Sequence, residues 1–291
     1  MRVTDLYKNR QPIVSMEFFP FRDDKTREGF HTTLDELSPM NPDYYSVTFG
    51  AGGSTRDGSY QTVKTVLKEK NLPGVAYIAG YGLGPDEITD VLDKYKALGV
   101  ETIFVIRGDK PKDKDFTPHP DSFPHASDLL AFIKSRYDFT LGCAGYPEGH
   151  VEAVSLEKDI EFLKLKQDSG AEYVVVQYFY DNDFFFSYVD QCRKAGVTIP
   201  IIPGIMPVYT VKLTRILSKV CGSSIVPPLQ EKLDGVDPDD ADAVLDLGID
   251  FAAEQCRGLL DRGAGGLHFY TMNRSRSTRE ILTRLKQEGL L

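Results

Sequence analysis

Tryptophan is absent from the 291-residue chain, and cysteine (4), methionine (5) and histidine (5) are scarce. The four cysteines, Cys143, Cys192, Cys221 and Cys256, stand far apart with no CxxC pair. That spacing excludes a zinc knuckle and a dense disulfide framework, and reads as reduced thiols. No excess of basic residues exists: Lys+Arg 34 against Asp+Glu 43 gives a net charge of −9. A general nucleic-acid or anionic-membrane binder would show the opposite balance. No apolar run approaches the ~18–20 residues of a membrane-spanning helix. The first residues, MRVTDLYKNRQP, have no apolar signal core, so a cytoplasmic location is expected. GxSxG, HExxH, GxxxxGK[ST] and EF-hand patterns are all missing. A GxGxxG dinucleotide fingerprint is missing from the first strand–helix turn, which reads FFPFRDDKTREG.

What is present is alternation. Eight near-continuous runs of β-branched and aromatic residues recur: 13–19, 44–49, 74–80, 102–108, 139–146, 172–179, 199–205 and 265–271. Such runs suit strands buried on both faces. Amphipathic segments separate them. Ile88, Val91, Leu92, Tyr95 and Leu98 mark one face of a helix, and Leu156, Ile160 and Leu163 begin another. Gly99, Gly170, Gly196 and Gly263 each close a helix before a strand, where a left-handed cap is easiest for glycine. Eight units in 291 residues is about 36 each, the arithmetic of a (β/α)8 TIM-type barrel over a single domain, 1–291. A doubly wound open sheet is the alternative. Extra helices, near 209–221, 228–234 and 240–262, fall between strands seven and eight.

In such barrels the chemistry sits at the C-terminal ends of the strands. Glu17 lies in the apolar run SMEFF and is either paired with a cation or held for chemistry. Arg107-x-Asp109 reads as a strand-end ion pair or as a site. Gln177 is either satisfied within the core or presented to a ligand. The loop GAGGST offers backbone N–H groups to an anion, or simply turns tightly. The segment 110–124 is long enough for a lid or binding loop, or its three lysines are simple solubilising charge.

The blocks SMEFFP (15–20), SVTFGAGGSTRD (46–57), RGDKP (107–111), HASDL (125–129), YPEGH (146–150), KQDSGAEYVVVQYFYD (166–181), IPIIPGIMPV (199–208) and LHFYTMNR (267–274), in this order, resemble the methylenetetrahydrofolate reductase family. The resemblance implies a barrel that binds FAD. NADH or NADPH reduces the flavin, and methylenetetrahydrofolate follows in the same site, in ping-pong order. It also implies roles for residues. Glu17 matches the general acid. Asp109 matches a carboxylate beside flavin and pterin. Gln177 matches a substrate-orienting amide, and Arg274 a position near the folate tail. Thr48, Phe49, Tyr77, Arg107, Gly108, Ala126, Tyr146, His150, Asp159 and Lys166 fall at cofactor-contacting positions. Three departures stand out: Tyr77 replaces a flavin-contacting histidine, Phe162 and Leu165 replace polar contacts, and Val211 stands where an aromatic ring is common. A homo-oligomer, a partner subunit that supplies electrons, and one-carbon transfer without flavin stay open as alternatives.

Overall fold

The computed structural model describes residues 1–9, 12–50, 56–110 and 116–291. Its strands are β1 (Ile13–Phe18), β2 (Tyr44–Val47), β3 (Gly74–Ala79), β4 (Thr102–Ile106), β5 (Thr140–Gly145), β6 (Tyr173–Val176), β7 (Ile201–Ile202), β8 (Gly204–Ile205) and β9 (Gly266–Tyr270). Every pairing between them is parallel. The order is β7-β6-β5-β4-β3-β2-β1-β9-β8. β7 and β8 are two halves of the seventh apolar run. The first half pairs with β6 and the second with β9, so one run touches both ends of the row and brings the sheet round into a nearly closed barrel.

The split has a local cause. Pro203, between the halves, carries no N–H and cannot donate to the ladder. Beside it the Val176 carbonyl accepts the Tyr270 hydroxyl at 3.0 Å. Gly204 makes room for that ring: a Cβ there would stand 2.2 Å from the Val176 oxygen and 2.6 Å from Tyr270 Cε2.

The helices are α1 (Val3–Asn9), α2 (Asp24–Leu37), α3 (Arg56–Lys64, continued by a π turn over Thr65–Glu69), α4 (Pro85–Leu98), α5 (Ala126–Lys134), α6 (Leu156–Asp168), α7 (Asn182–Lys194), α8 (Val211–Cys221), α9 (Pro227–Gly235), α10 (Ala241–Asp261) and α11 (Arg276–Gln287). α8, α9 and α10 fill the long connection between β8 and β9, as its length predicts. α4 shows how local sequence sets an element. Pro85 opens it, the Glu87 carboxylate accepts the Gly84 N–H at 3.0 Å, and Gly99 ends it at φ 89°. Its stripe Ile88, Leu92, Tyr95 and Leu98 is buried.

α1 has no counterpart in the sequence reading. It is short and mostly polar, with only Val3 and Tyr7 buried, too little periodicity to detect. The Val3 N–H donates to Thr102 Oγ1 at 3.2 Å, and Arg2 pairs with Asp138 at 2.6 Å. These contacts tie it to the starts of β4 and β5, opposite the end where the site lies. All four cysteines are free, and three are buried. Among the described residues no helix is long and apolar enough to cross a membrane.

Candidate active site

Strand register sets the acid. Glu17 is the fifth residue of β1, opposite Ser46 on β2 and Tyr270 on β9, and its side chain is only 12% exposed. Its Oε2 accepts the Tyr77 hydroxyl at 2.5 Å and lies 3.5 Å from His268 Nε2. The other ring nitrogen of His268 meets Ser15 Oγ at 2.7 Å. Thr271 Oγ1 donates to the Glu17 backbone carbonyl at 2.6 Å. Burial, then the charge of Glu17, push the Tyr77 phenol well above its ordinary value, so it stays a donor. The Tyr270 phenol is raised for the same two reasons, in the same order.

Glu17, Thr48, Tyr77, Asp109, Tyr146 and Gln177 line one cavity of about 370 Å³, with Phe104 and Met206 among its apolar walls. Asp109 is exposed at its mouth. Gln177, one residue beyond β6, fixes its side-chain carbonyl on the Tyr178 N–H at 3.1 Å. Its amide N–H groups bond to no described residue, so they are the groups on offer.

A second cavity, of about 320 Å³, is lined by Arg107, Ala126, Tyr146, His150, Asp159 and Lys166, together with Phe162 and Leu165. Ile106, Ala144 and Tyr146 line both, so the two adjoin. Lys166 Nζ donates to the Ala144 carbonyl at 2.8 Å and stands 5.6 Å from the Tyr146 ring centre. Asp159 is 6% exposed, and its Oδ2 has no hydrogen-bond partner. Burial raises its carboxyl above the ordinary value, against the opposing pull of Lys166. Burial likewise lowers His150, which favours the neutral ring. α5 begins beside this cavity, and its cap residue His125 makes no side-chain capping bond.

The sequence candidates therefore fall into two adjoining groups, with exceptions. Arg107 does not pair with Asp109: its guanidinium bonds to Glu152, because the β4 turn carries Asp109 to the other cavity. Tyr77 lines the cavity of the acid and not the second one. Phe49 is packed in the core. Gly108 makes a turn at φ 85°, where a Cβ would meet Ala79 Cβ at 2.9 Å. Arg274 is exposed and lies over the Tyr209 ring at 5.4 Å, in neither cavity wall. Val211 is buried in the cluster around Tyr209. Of the GAGGST loop, residues 51–55 lie outside the described residues, as do 111–115 of the long segment after β4. The rest of that segment folds onto the β3–α4 turn, with Phe116 stacked on Tyr81 at 6.4 Å.

Sequence reasoning missed Ser15 and His268, which lie beneath the acid. The signal was present: Ser15 and Glu17 alternate onto one face of β1, and His268 pairs directly with Ser15.

The chain matches the family model described as methylenetetrahydrofolate reductase over residues 2–286. It is 34% identical over 280 residues to methylenetetrahydrofolate reductase 1 of Schizosaccharomyces pombe, covering 95% of this chain and 46% of that one. It is 32% identical over 262 residues to the 5,10-methylenetetrahydrofolate reductase of Escherichia coli, covering 90% and 86%. The chain thus spans about half the length of the fission-yeast relative and most of the bacterial one. Among solved structures, a Clostridium thermocellum protein described as binding two copies of 5-methyl-5,6,7,8-tetrahydrofolic acid superposes with a TM-score of 0.63 over 98% of both chains. At 16% identity that likeness concerns the fold alone.

Proposed function

The chain belongs to the methylenetetrahydrofolate reductase family, and on that premise we propose that it reduces 5,10-methylenetetrahydrofolate to 5-methyltetrahydrofolate, with FAD as the carrier of electrons from NADH or NADPH. The observation that carries the reading is Glu17: a half-buried carboxyl near a strand end, facing a cavity, with no lysine or arginine bonded to it among the described residues.

The residues lining the second cavity support the flavin part of this reading. A buried carboxylate oxygen without a partner, on Asp159, suits hydroxyl donors of a ligand. The uncapped first turn of α5 and the Lys166 ammonium suit phosphate oxygens. Asp159, Lys166, Ala126, Tyr146 and His150 would hold the group. When bound, FAD supplies a two-electron carrier between nicotinamide and folate.

The protein's own part is proton handling and orientation. Opening the five-membered ring of the folate requires a proton on the departing nitrogen, and Glu17 is the carboxyl placed within the cavity to deliver it. The nitrogen gains that proton, and the methylene carbon, left as an iminium, gains a hydride to become the methyl group. Asp109 at the mouth offers a carboxylate to the amino-pyrimidine edge and to the cation formed on ring opening. The Gln177 amide orients the pterin, and Thr48 lines the same wall. Arg274 on the rim faces an anionic folate tail. Nicotinamide and folate use the one cavity in turn.

The test is anaerobic. NADH or NADPH should bleach the bound flavin, and methylenetetrahydrofolate should restore its colour. Glu17→Gln should slow the second step by ~10²–10⁴-fold, far more than the first. Equal losses in both steps would make Glu17 structural. A second reading has electrons delivered by a partner subunit. It is favoured by Phe162 and Leu165, apolar side chains 54% and 49% exposed on the wall of the second cavity. Its signature is a purified chain that oxidises neither NADH nor NADPH.

A further inference from the structure

We propose that Tyr77 is a positioning residue for the acid: its hydroxyl engages Oε2 of Glu17 and leaves Oε1 as the oxygen that presents the proton to the folate. The proposal rests on the reading of Glu17 as the acid.

Geometry carries it. Tyr77 and Glu17 stand on β3 and β1, two strands apart, and meet inside the barrel. The phenol donates to Oε2 at 2.5 Å. The ring cannot swing away easily: Tyr77 is 5% exposed and stacks on Phe104 at 4.4 Å between centroids, with 22° between planes. Its neighbour across the strand pair is Phe104 itself, so the β3–β4 register fixes the stack.

Several polar groups surround the carboxyl. Tyr77 comes from β3, His268 and Tyr270 from β9, Tyr44 from β2, and Asp109 stands at the cavity mouth. Tyr270 gives its hydroxyl to the Val176 carbonyl. His268 Nε2 comes to 3.5 Å of Oε2, the same oxygen that Tyr77 occupies. No hydrogen bond from a described residue reaches Oε1. A protonated carboxyl has one O–H donor and one free acceptor oxygen. With a donor fixed on Oε2, a proton on that oxygen would oppose Tyr77, so the stable arrangement places it on Oε1. The resemblance expects a cofactor-contacting histidine at this position. The tyrosine has turned the position towards the acid.

Tyr77→Phe keeps the ring and its stack and removes only the hydroxyl. The step that consumes methylenetetrahydrofolate should slow by about ten- to a hundredfold, the span of one hydrogen bond to the carboxylate that forms as the proton leaves. The NAD(P)H step and folate affinity should change much less. A second readout needs no cofactor or substrate. Infrared difference spectra of the protein alone should show the Glu17 carboxyl bands, identified by their loss in Glu17→Gln, shifted in frequency in Tyr77→Phe. In the Glu17→Gln background, removing the Tyr77 hydroxyl should cost little more. Unshifted bands, or a Tyr77→Phe protein as fast as the parent beside a slow Glu17→Gln protein, overturn the proposal alone. A Glu17→Gln protein that reduces folate at the parent rate overturns the acid reading and the proposal with it.

Discussion

A carboxylate oxygen buried without a partner is expensive, and Asp159 has one. Burial raises its folded-state pKa, outweighing Lys166. Between the unfolded and folded values the native protein keeps a proton that the unfolded chain has released. Stability therefore falls as pH rises through that window and stays at the lower level above it. Asp159→Asn should remove this penalty. We expect a gain of about 1 kcal/mol near pH 7, or about 2 °C in Tm, and no gain below the ordinary aspartate value of ~4. FAD affinity should fall about tenfold in the same variant. Calorimetry at the two pH values, with a flavin titration, checks both; a lower Tm at pH 7 would show the carboxylate to be satisfied. At this scale the sequence was half legible. Glu17 stood out as an acid within an apolar run, but its partner Tyr77 lies 60 residues away, and only strand register joins them. Arg107 and Asp109 misled for the converse reason. Neighbours in sequence read as an ion pair or as a site, and the fold gave the arginine to Glu152.

Elements were more legible than their joints. The eight apolar runs and the glycine caps appear where their chemistry puts them, because a strand buried on both faces needs little context. The seventh run was harder, since what Pro203 and Gly204 do depends on His268, Val176 and Tyr270, residues far off in the chain. Gly204→Ala should therefore be costly. Its Cβ would strike a backbone oxygen at 2.2 Å, and overpacking of this kind costs about 1–3 kcal/mol. Gly235, at the end of α9, has open space around it, with nothing within 4 Å of an added Cβ. Gly235→Ala should stay within about 0.5 kcal/mol of the parent or gain slightly. Urea midpoints of the two variants make the comparison. Equal midpoints would mean that the seam accommodates a side chain.

At the scale of the molecule, counting units was enough for the barrel, and the surplus length before the last strand was enough for α8 to α10. Counting could not show that the candidate residues divide between two cavities joined at Tyr146, since that depends on where each strand end points. Nor could it show that the ring closes through a stave cut in two. A ring with one cut stave has a preferred place to breathe. Opening there should cost less than global unfolding, and it should be visible as a difference in timing. In native-state hydrogen exchange, the amides of Ile201, Ile202, Gly204 and Ile205 should lose protection before those of Ile103, Phe104 and Val105. Equal protection would mean that the two halves of the seventh run are held as firmly as an unbroken strand. The same brief opening releases Tyr270 from Val176 and loosens the wall beside Glu17. The seam would then act as a slow door, and its rate of opening would limit how quickly a tightly held occupant could leave.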